Sequence, residues 1–245
     1  MKKVFRFFAM ASFALCMTAF VACGDDDEGD NTTPGNNGNN GNNNNTETGD
    51  PILLDETFDN GLPATWTLID ADGDGINWDV STVYFSSPQG VDGSNCMASP
   101  SYISSVGSLT SDNYLISPTI HIPGAGGYTL TYAVANFQKE YLDSYSCMVG
   151  TIENGAFVSM GTLANETPDN AIITAASGSA VQGEGYATRS FNLDTYKGQD
   201  VCIAFRHNSD DRYSILIDNV KISNEATKDA AIIPTNAKNA TPRLK

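Results

Sequence analysis

An acidic loop at residues 70–75 carries the spacing closest to that of a metal site. Asp70, Asp72 and Asp74 occupy alternate positions, and carboxylates this close repel one another unless water or a cation separates them. Calcium suits such a loop because it accepts oxygen ligands in irregular geometry. The spacing also matches the first positions of an EF-hand loop. Position 12 of that loop would be Ser81 rather than Glu, however, and no flanking helix is evident. We therefore expect either calcium in a β-loop or a hydrated Asp-Gly turn.

A second candidate metal ligand is Asp218, which lies in the apolar run between Ile217 and Val220. A carboxylate buried without a partner is costly. The position therefore predicts either a bound cation or an aspartate on the solvent face of an edge strand.

Catalytic chemistry has little support in the remaining residues. The two histidines, His121 and His207, cannot form a three-histidine zinc site, and neither HExxH nor GxSxG occurs. Pairs of carboxylates suited to glycoside hydrolysis occur in any acidic chain and are a weak signal. We therefore expect no enzymatic activity.

The segment RHNSDDRY (206–213) is the candidate ligand-binding loop. It places Arg206, His207, Arg212 and Tyr213 among acidic residues, and Arg and Tyr are common anchors in binding sites. The alternative is a polar turn stabilised by local ion pairs that each contribute little.

Charge and cysteine content limit the class of protein. The formal net charge is −16, which argues against nucleic acid as a partner because such binding needs clustered Lys and Arg. After the N-terminal region, Cys96, Cys147 and Cys202 remain, so at most one disulfide can form. Apolar surroundings predict that they are buried thiols acting as small hydrophobic residues.

The N-terminus has the pattern of an export signal. Basic residues precede an apolar stretch over 7–21 that is too short to be a comfortable membrane span. Residues 1–22 resemble a bacterial lipoprotein signal, which would make Cys23 the lipidated first residue; the alternative is an ordinary secretory signal cut near Ala22. The acidic and Asn/Gly-rich stretch 23–50 is expected to be a disordered tether. Its acidic start resembles the export tags of surface-displayed lipoproteins, and we expect outer-membrane anchoring with exposure at the cell surface.

From residue 51 onward the pattern predicts an all-β protein. No window shows a sustained helical period, and Asn154-Gly155 predicts a hairpin. About eight to ten strands at this spacing favour an antiparallel jelly-roll β-sandwich over residues 51–224, followed by a loose tail over 225–245 in which residues 230–233 can add contacts. The predicted strands cover 52–58, 65–70, 112–123, 127–137, 145–153, 156–163, 186–194, 199–207 and 213–222.

Three motifs, in order, resemble the cleaved-adhesin domains, the haemagglutinin/adhesin modules of gingipain-type proteases that are also found in choice-of-anchor surface proteins. The first is DETFDNGLPATWTLIDADGDGINWDV (55–80), the second SDNYLISPTIHIPGAGGYTLTYAV (111–134) and the third VCIAFRHNSDDRYSILIDNVKI (201–222). Segment 138–185 follows the family loosely, and loops set binding specificity. The partner is therefore the property that transfers least safely.

The resemblance implies a jelly roll that binds structural calcium and acts in adhesion or recognition rather than catalysis. In jelly-roll binding modules an aspartate at the position of Asp218 often joins acids of the first strand, here Asp55 and Glu56, in a calcium site. The expected partner is a host protein, the matrix or a glycan.

Two other roles remain open for the same domain. A carbohydrate-binding module of a polysaccharide-uptake system would need exposed aromatic residues on one face, for which the candidates are Tyr84, Phe85, Tyr102, Tyr141 and Tyr145. A structural subunit of a surface assembly would need an uncovered edge strand.

Overall fold

Short strands joined by polar turns make up the computed structural model, which describes residues 51–176, 179–224 and 232–233. The strands are β1 (Ile52–Glu56), β2 (Thr67–Asp70), β3 (Asp79–Val80), β4 (Met97–Pro100), β5 (Tyr102–Ile103), β6 (Gly107–Ser108), β7 (Asn113–Ile116), β8 (Ile120–His121), β9 (Thr129–Gln138), β10 (Tyr145–Glu153), β11 (Ala156–Glu166), β12 (Ala171–Ala176), β13 (Ser179–Gln182), β14 (Tyr186–Asn192), β15 (Asp200–His207), β16 (Ser214–Ser223) and β17 (Ile232–Ile233). Helical structure in these residues is limited to α1 (Ser81–Tyr84) and a 3₁₀ turn (Asp194–Tyr196).

The larger sheet is built around β9 and β16, which are antiparallel neighbours. Its order is β13-β12-β9-β16-β4-β3, with β1 beside the second half of β16 and β14 beside the first half of β9. The pairing of β9 with β12 is parallel. Strand β17 pairs with β14, so this part of the 225–245 tail adds a backbone contact, while the rest of the tail lies outside the described residues.

The smaller sheet has the order β11-β10-β15-β7-β2, with β8 beside the start of β15. The β10–β11 hairpin turns at Asn154 and Gly155, whose φ angles of 52° and 81° lie in the left-handed region. That geometry is typical of the tight hairpin turns that Asn-Gly favours, and the predicted hairpin is confirmed.

The two sheets enclose one main core because alternate side chains of each strand face inward. Leu130, Tyr132 and Val134 of β9 pack in the same cluster as Ile203 and Phe205 of β15. The predicted all-β, antiparallel jelly-roll sandwich is therefore confirmed. The predicted tether and signal lie outside the described residues.

A second apolar cluster covers the outer face of the larger sheet. Ala133, Ala135 and Phe137 of β9 point away from the main core and pack with Leu216 and with the segment around Phe85. This outer layer packs the segment after β3 against β9 and β16.

A β-bulge in β16 decides which residues of that strand face outward. The register shifts between Asp218 and Lys221, and Asn219 has a left-handed φ of 49°. Asp218 faces the outer layer by ordinary alternation with Leu216, and the bulge that follows it returns Val220 and Ile222 to the main core.

The structure has more strands than the eight to ten expected. The short strands β3 to β6 and the pair β12–β13 were not anticipated, because two to six residues carry too little alternation to be read as strands. The predicted strand over 112–123 is two strands, β7 and β8, separated at Pro118, which has no amide hydrogen to donate to a ladder.

All three cysteines of the described region are free and buried, so the prediction of buried thiols is confirmed and no disulfide joins them. Burial raises the pKa of the Cys96 thiol to about 12, which makes it an inert core residue rather than a nucleophile. Within the described residues, no helix has the length and apolar character needed to cross a membrane.

Candidate functional site

Three partly exposed tyrosines form what we call the tyrosine platform: Tyr102, Tyr141 and Tyr213. Their rings are nearly parallel, with Tyr213 in the middle, 6.3 Å from Tyr102 and 6.4 Å from Tyr141 between ring centroids and tilted 23° from each. Phe137 of the outer layer stacks on Tyr213 at 5.1 Å and 9°. Tyr102 and Tyr141, two of the five candidates for sugar stacking, thus contact Tyr213 of the predicted binding loop 206–213.

Backbone hydrogen bonds fix the loops that carry the platform. The amide groups of Ser101 and Tyr102 both donate to the carbonyl oxygen of Tyr213, at 3.0 and 3.3 Å. The amide of Tyr141 donates to the carbonyl of Gln138 at the end of β9, at 3.1 Å. The three rings therefore come from the first residue of β5, from the connection after β9 and from the residue that precedes β16.

A fully buried carboxylate, Asp143, lies beneath these loops. One of its oxygens accepts the hydroxyl of Ser101 at 2.5 Å and lies 3.0 Å from Nε2 of His207, and the other accepts the amide of Tyr213 at 3.1 Å. Its own amide donates to the side chain of Asn136 at 2.7 Å. No local sequence pattern around Asp143 predicts this role.

The ligand-binding role expected for His207 is wrong in its simplest form, because the side chain is completely buried. His207 is the last residue of β15. Its Nδ1 lies 2.8 Å from the hydroxyl of Ser99, and its Nε2 faces Asp143. Ser99, His207 and Asp143 are the residue types of a hydrolase triad. All three are closed to solvent, so a substrate cannot reach the serine and the arrangement is a structural network.

The two arginines of the predicted loop have different environments. Arg206 makes a bidentate ion pair with Asp112, at 2.6 and 2.8 Å, and lies 5.4 Å above the ring centre of Tyr114. The hydrogen bond to Asp112 is the main cause that raises the pKa of Arg206. Arg212, next to Tyr213, is exposed, and its guanidinium has no ion-pair partner in the part of the chain that the structure describes.

The other aromatic candidates are not on the platform. Phe85 and Tyr145 are completely buried, so these two candidates cannot stack on a sugar. Tyr145 faces Tyr132 in the main core, with 2.8 Å between their hydroxyl oxygens. Tyr84 is partly buried and donates to the carbonyl of Asn77 at 2.5 Å.

Asp218 is buried, with 1% of its surface exposed, beside the turn of residues 89–96 that we call the Gly90 loop. Its oxygens accept the amides of Val91 and Asn219, each at 2.8 Å. Burial, the largest cause, and the nearby charges of Asp59 and Asp92 raise its pKa to about 7. A carboxylate in this setting is ionised more readily when a cation lies beside it.

Oxygen atoms converge at one point of the Gly90 loop. A Cβ placed on Gly90 would lie 2.6 Å from the carbonyl oxygen of Asn95, 2.9 Å from Oδ2 of Asp218 and 2.9 Å from the carbonyl oxygen of Ser94. Glycine keeps this space free of side-chain atoms. Two carbonyls and a carboxylate are oxygen ligands of the kind calcium takes, so the donor types fit that ion, and the Ser94 carbonyl also accepts the Gly90 amide at 2.8 Å.

The structure does not bring the predicted partners Asp55 and Glu56 to Asp218, and this expectation is wrong. Asp55 pairs across the sheet with Lys221, with 3.7 Å between Oδ2 and Nζ, at a cavity of about 290 Å³ on the outer face of the larger sheet. Glu56 accepts the amide of Phe58 at 2.9 Å. The acids that influence Asp218 are instead Asp59 and Asp92.

The aspartates of the acidic loop do come together. One oxygen from each of Asp70, Asp72 and Asp74 lies within 4.8 Å of the others, and this is the only such group of three acids, histidines or cysteines among the described residues. Asp70 accepts the amides of Gly73 and Gly75, at 2.8 and 2.9 Å. The Gly75 amide is the main cause that lowers the pKa of Asp70. The loop is thus a well-formed Asp-Gly turn whose oxygens are close enough together to share a cation.

Comparison with known proteins supports the resemblance read from the motifs. The model of the Cleaved Adhesin Domain family matches residues 51–222. Hemagglutinin A of Porphyromonas gingivalis is 33% identical over 185 residues, which cover 71% of this chain and 7% of the relative. Gingipain R1 of the same species is 35% identical over 177 residues, covering 69% of this chain and 10% of the relative.

A solved structure, the K3 cleaved adhesin domain of Lys-gingipain from Porphyromonas gingivalis W83, has 32% identity and a TM-score of 0.56, over 70% of this chain and 96% of that one. The chain spans a tenth or less of the length of the two curated relatives. The similarity between this chain and those relatives is therefore confined to this domain.

Proposed function

Because the chain belongs to the cleaved-adhesin domain family, we propose that it is an adhesin, a non-catalytic module that recognises a host protein, the matrix or a glycan. The observation that carries this proposal is the tyrosine platform, the densest group of partly exposed aromatic rings in the described residues. Exposed aromatic clusters are typical of binding surfaces. The buried Ser99–His207–Asp143 network offers a substrate no access, which favours binding over catalysis.

The proposed location is the outer surface of the bacterial outer membrane. The apolar signal pattern, the cysteine at position 23 and the acidic stretch that follows support a lipid anchor on Cys23. The Asn/Gly-rich stretch before residue 51 has the composition of a flexible tether. Such a tether lets the domain reach partners beyond the membrane.

Display of the chain on a bacterial surface tests the adhesin proposal. Cells that carry the chain should adhere to surfaces coated with matrix proteins or glycans more than cells without it, and Cys23→Ala should remove the domain from the outer-membrane fraction. Equal adhesion of the two cell types to every coating would contradict the proposal.

We further propose that calcium stabilises the domain as a structural ion. The Gly90 loop is the favoured site, because Asp218 and the carbonyl oxygens of Ser94 and Asn95 converge there and the carboxylates of Asp59 and Asp92 add negative charge. Calcium there would neutralise the buried Asp218 and tie the Gly90 loop to β16. The loop with Asp70, Asp72 and Asp74 is a second proposed site.

Thermal unfolding tests the calcium proposal. The midpoint should be higher in excess calcium than in protein stripped of metal, since a ligand that binds only the folded state stabilises it by about 2.7 kcal/mol at a hundred times its dissociation constant. Asp218→Asn should abolish most of this rise. The matched control is Asp200→Asn, an exposed acid that pairs with His121, which should retain it. Identical unfolding midpoints with and without calcium would contradict the calcium proposal.

A second role, as a subunit of a surface assembly, is favoured by one observation. β11 is an edge strand of the smaller sheet, eleven residues long, and Val158 and Met160 on it are 41% and 44% exposed. Long apolar edge strands pair readily with other chains, and a charge on such an edge prevents this. If the protein self-associates in sedimentation experiments, Val158→Lys should return it to the monomer. A monomer at all concentrations would argue against this role.

A further inference from the structure

We propose that the tyrosine platform is a glycan-binding site, on which successive sugar rings stack against Tyr102, Tyr213 and Tyr141. This inference rests on the proposed adhesin function and names its ligand class. The arrangement of the rings, the buried contacts that hold their loops and the exposed Arg212 next to Tyr213 in sequence support it.

The ring geometry suits flat, cyclic ligands. Tyr102 and Tyr141 each lie more than 6 Å from Tyr213 between ring centroids and are tilted only 23° from it, a spacing wider than that of the close contact between Phe137 and Tyr213 at 5.1 Å. Aromatic faces carry negative potential, and the axial C–H groups of a pyranose form a weakly positive, apolar face. Near-parallel rings spaced along a surface therefore match consecutive sugars better than an extended peptide, whose side chains alternate between two faces.

The platform is held in place before any ligand binds. Phe137, itself 1% exposed, stacks on Tyr213. The buried carboxylate of Asp143 holds both the amide of Tyr213 and the hydroxyl of Ser101, the neighbour of Tyr102. Because these loops are fixed by buried contacts, a ligand loses little affinity to ordering them.

One charged residue, Arg212, is the sequence neighbour of Tyr213 and makes no ion pair with the described residues. Arg212 precedes Tyr213, its amide donates to the hydroxyl of Ser101 at 3.0 Å, and its exposed guanidinium makes no ion pair with any described residue. The neighbouring acids Asp210 and Asp211 accept hydrogen bonds from Thr110 and Ser108. Arg212 is thus available to bind a sugar carboxylate or hydroxyls. Because of this local positive charge, we expect glycans that carry a carboxylate to bind better than neutral ones, although the net charge of −16 repels anions at longer range.

The test uses the purified protein on an array of neutral and carboxylate-bearing oligosaccharides, followed by calorimetry with the strongest binder. Tyr141→Ala, at a residue that is 46% exposed and thus tolerant of truncation, should weaken binding by about fivefold or more. Tyr213→Ala should weaken it further, and Tyr213→Phe, which keeps the ring, should bind within about twofold of the original protein. Arg212→Gln should reduce the preference for the acidic glycans.

The matched control is Tyr114→Ala, which removes a partly buried tyrosine from the outer face of the smaller sheet and should leave glycan binding unchanged. Circular dichroism and the unfolding midpoint establish that each variant is folded. Failure to bind any glycan on the array overturns the inference, and so does binding that Tyr141→Ala and Tyr213→Ala leave intact.

Failure of this inference is distinguishable from failure of the adhesin function. If the displayed protein adheres to a matrix protein and Tyr141→Ala does not change this adhesion, the adhesin function is supported and the glycan site is rejected. A protein that adheres to no coating and binds no glycan rejects both.

Discussion

The carboxylate of Asp143 lies 3.0 Å from Nε2 of His207, and both side chains are completely buried. His207 ends β15 of the smaller sheet, whereas the serine on its other nitrogen, Ser99, belongs to β4 of the larger sheet. The pair therefore joins the two sheets at the end of the sandwich where the tyrosine platform lies. A network of this kind is sensitive to the loss of any member, because a buried polar group without a partner is costly.

We expect Asp143→Ala to lower the free energy of unfolding by about 3–5 kcal/mol, since it removes the acceptor of three buried or partly buried groups. Chemical denaturation measures the loss. Asp210→Ala is the control, because that carboxylate is exposed and accepts a hydrogen bond from the exposed Thr110; its effect should stay within about 0.5 kcal/mol. Equal effects of the two substitutions would show that the buried network does not stabilise the fold.

The pKa of Asp218 predicts a pH dependence of stability in metal-free protein. Burial raises this pKa from 3.8 to about 7, so between these values the folded state keeps a proton that the unfolded state has released. Stability relative to Asp218→Asn should therefore fall as the pH rises from about 4 to about 7, and level off above. Urea denaturation across this range measures the difference between the two proteins.

Calcium should reverse that trend, because it binds the ionised carboxylate. In excess calcium, the difference between the original protein and Asp218→Asn should grow in favour of the original protein as the pH rises. A difference that is constant with pH under both conditions would mean that Asp218 titrates normally.

Gly90→Ala should abolish the calcium response and lower stability by about 1–3 kcal/mol, because the new methyl group would lie 2.6 Å from the carbonyl oxygen of Asn95. The matched substitution is Gly124→Ala, at a glycine with no atom within 4 Å of the added carbon. Thermal melts of both variants, with and without calcium, provide the comparison. A Gly90→Ala protein with an unchanged calcium response would rule out the Gly90 loop as the site.

Asn219 holds the left-handed conformation of the bulge in β16, with φ of 49°. Asn219→Ala should cost about 1–2 kcal/mol, since alanine lacks both the freedom of glycine and the local hydrogen bonding by which asparagine tolerates this region, whereas Asn219→Gly should change stability little. Denaturation of the two variants under identical conditions tests this. If alanine and glycine were tolerated equally, backbone strain would not be what selects asparagine here.

Local patterns in the sequence determined much of the fold. Alternating apolar residues located the long strands such as β9, β15 and β16, and Asn154-Gly155 located a hairpin, because strand period and turn conformation depend on neighbouring residues. The acidic loop was also readable, since Asp70, Asp72 and Asp74 lie within five positions and need no distant partner to come together. The ordered motifs at 55–80, 111–134 and 201–222 identified the family.

The tertiary structure alone decided how the distant residues combine. Asp143 and Tyr213 are 70 positions apart and meet through one hydrogen bond, and the Gly90 loop reaches Asp218 across 127 positions at Val91. Periodicity assigns a side chain to a face of its strand but does not specify the neighbouring strand, the register or a bulge such as that at Asn219. For that reason His207 was expected at the surface and is buried, while Tyr102, Tyr141 and Tyr213, far apart in the chain, form one surface.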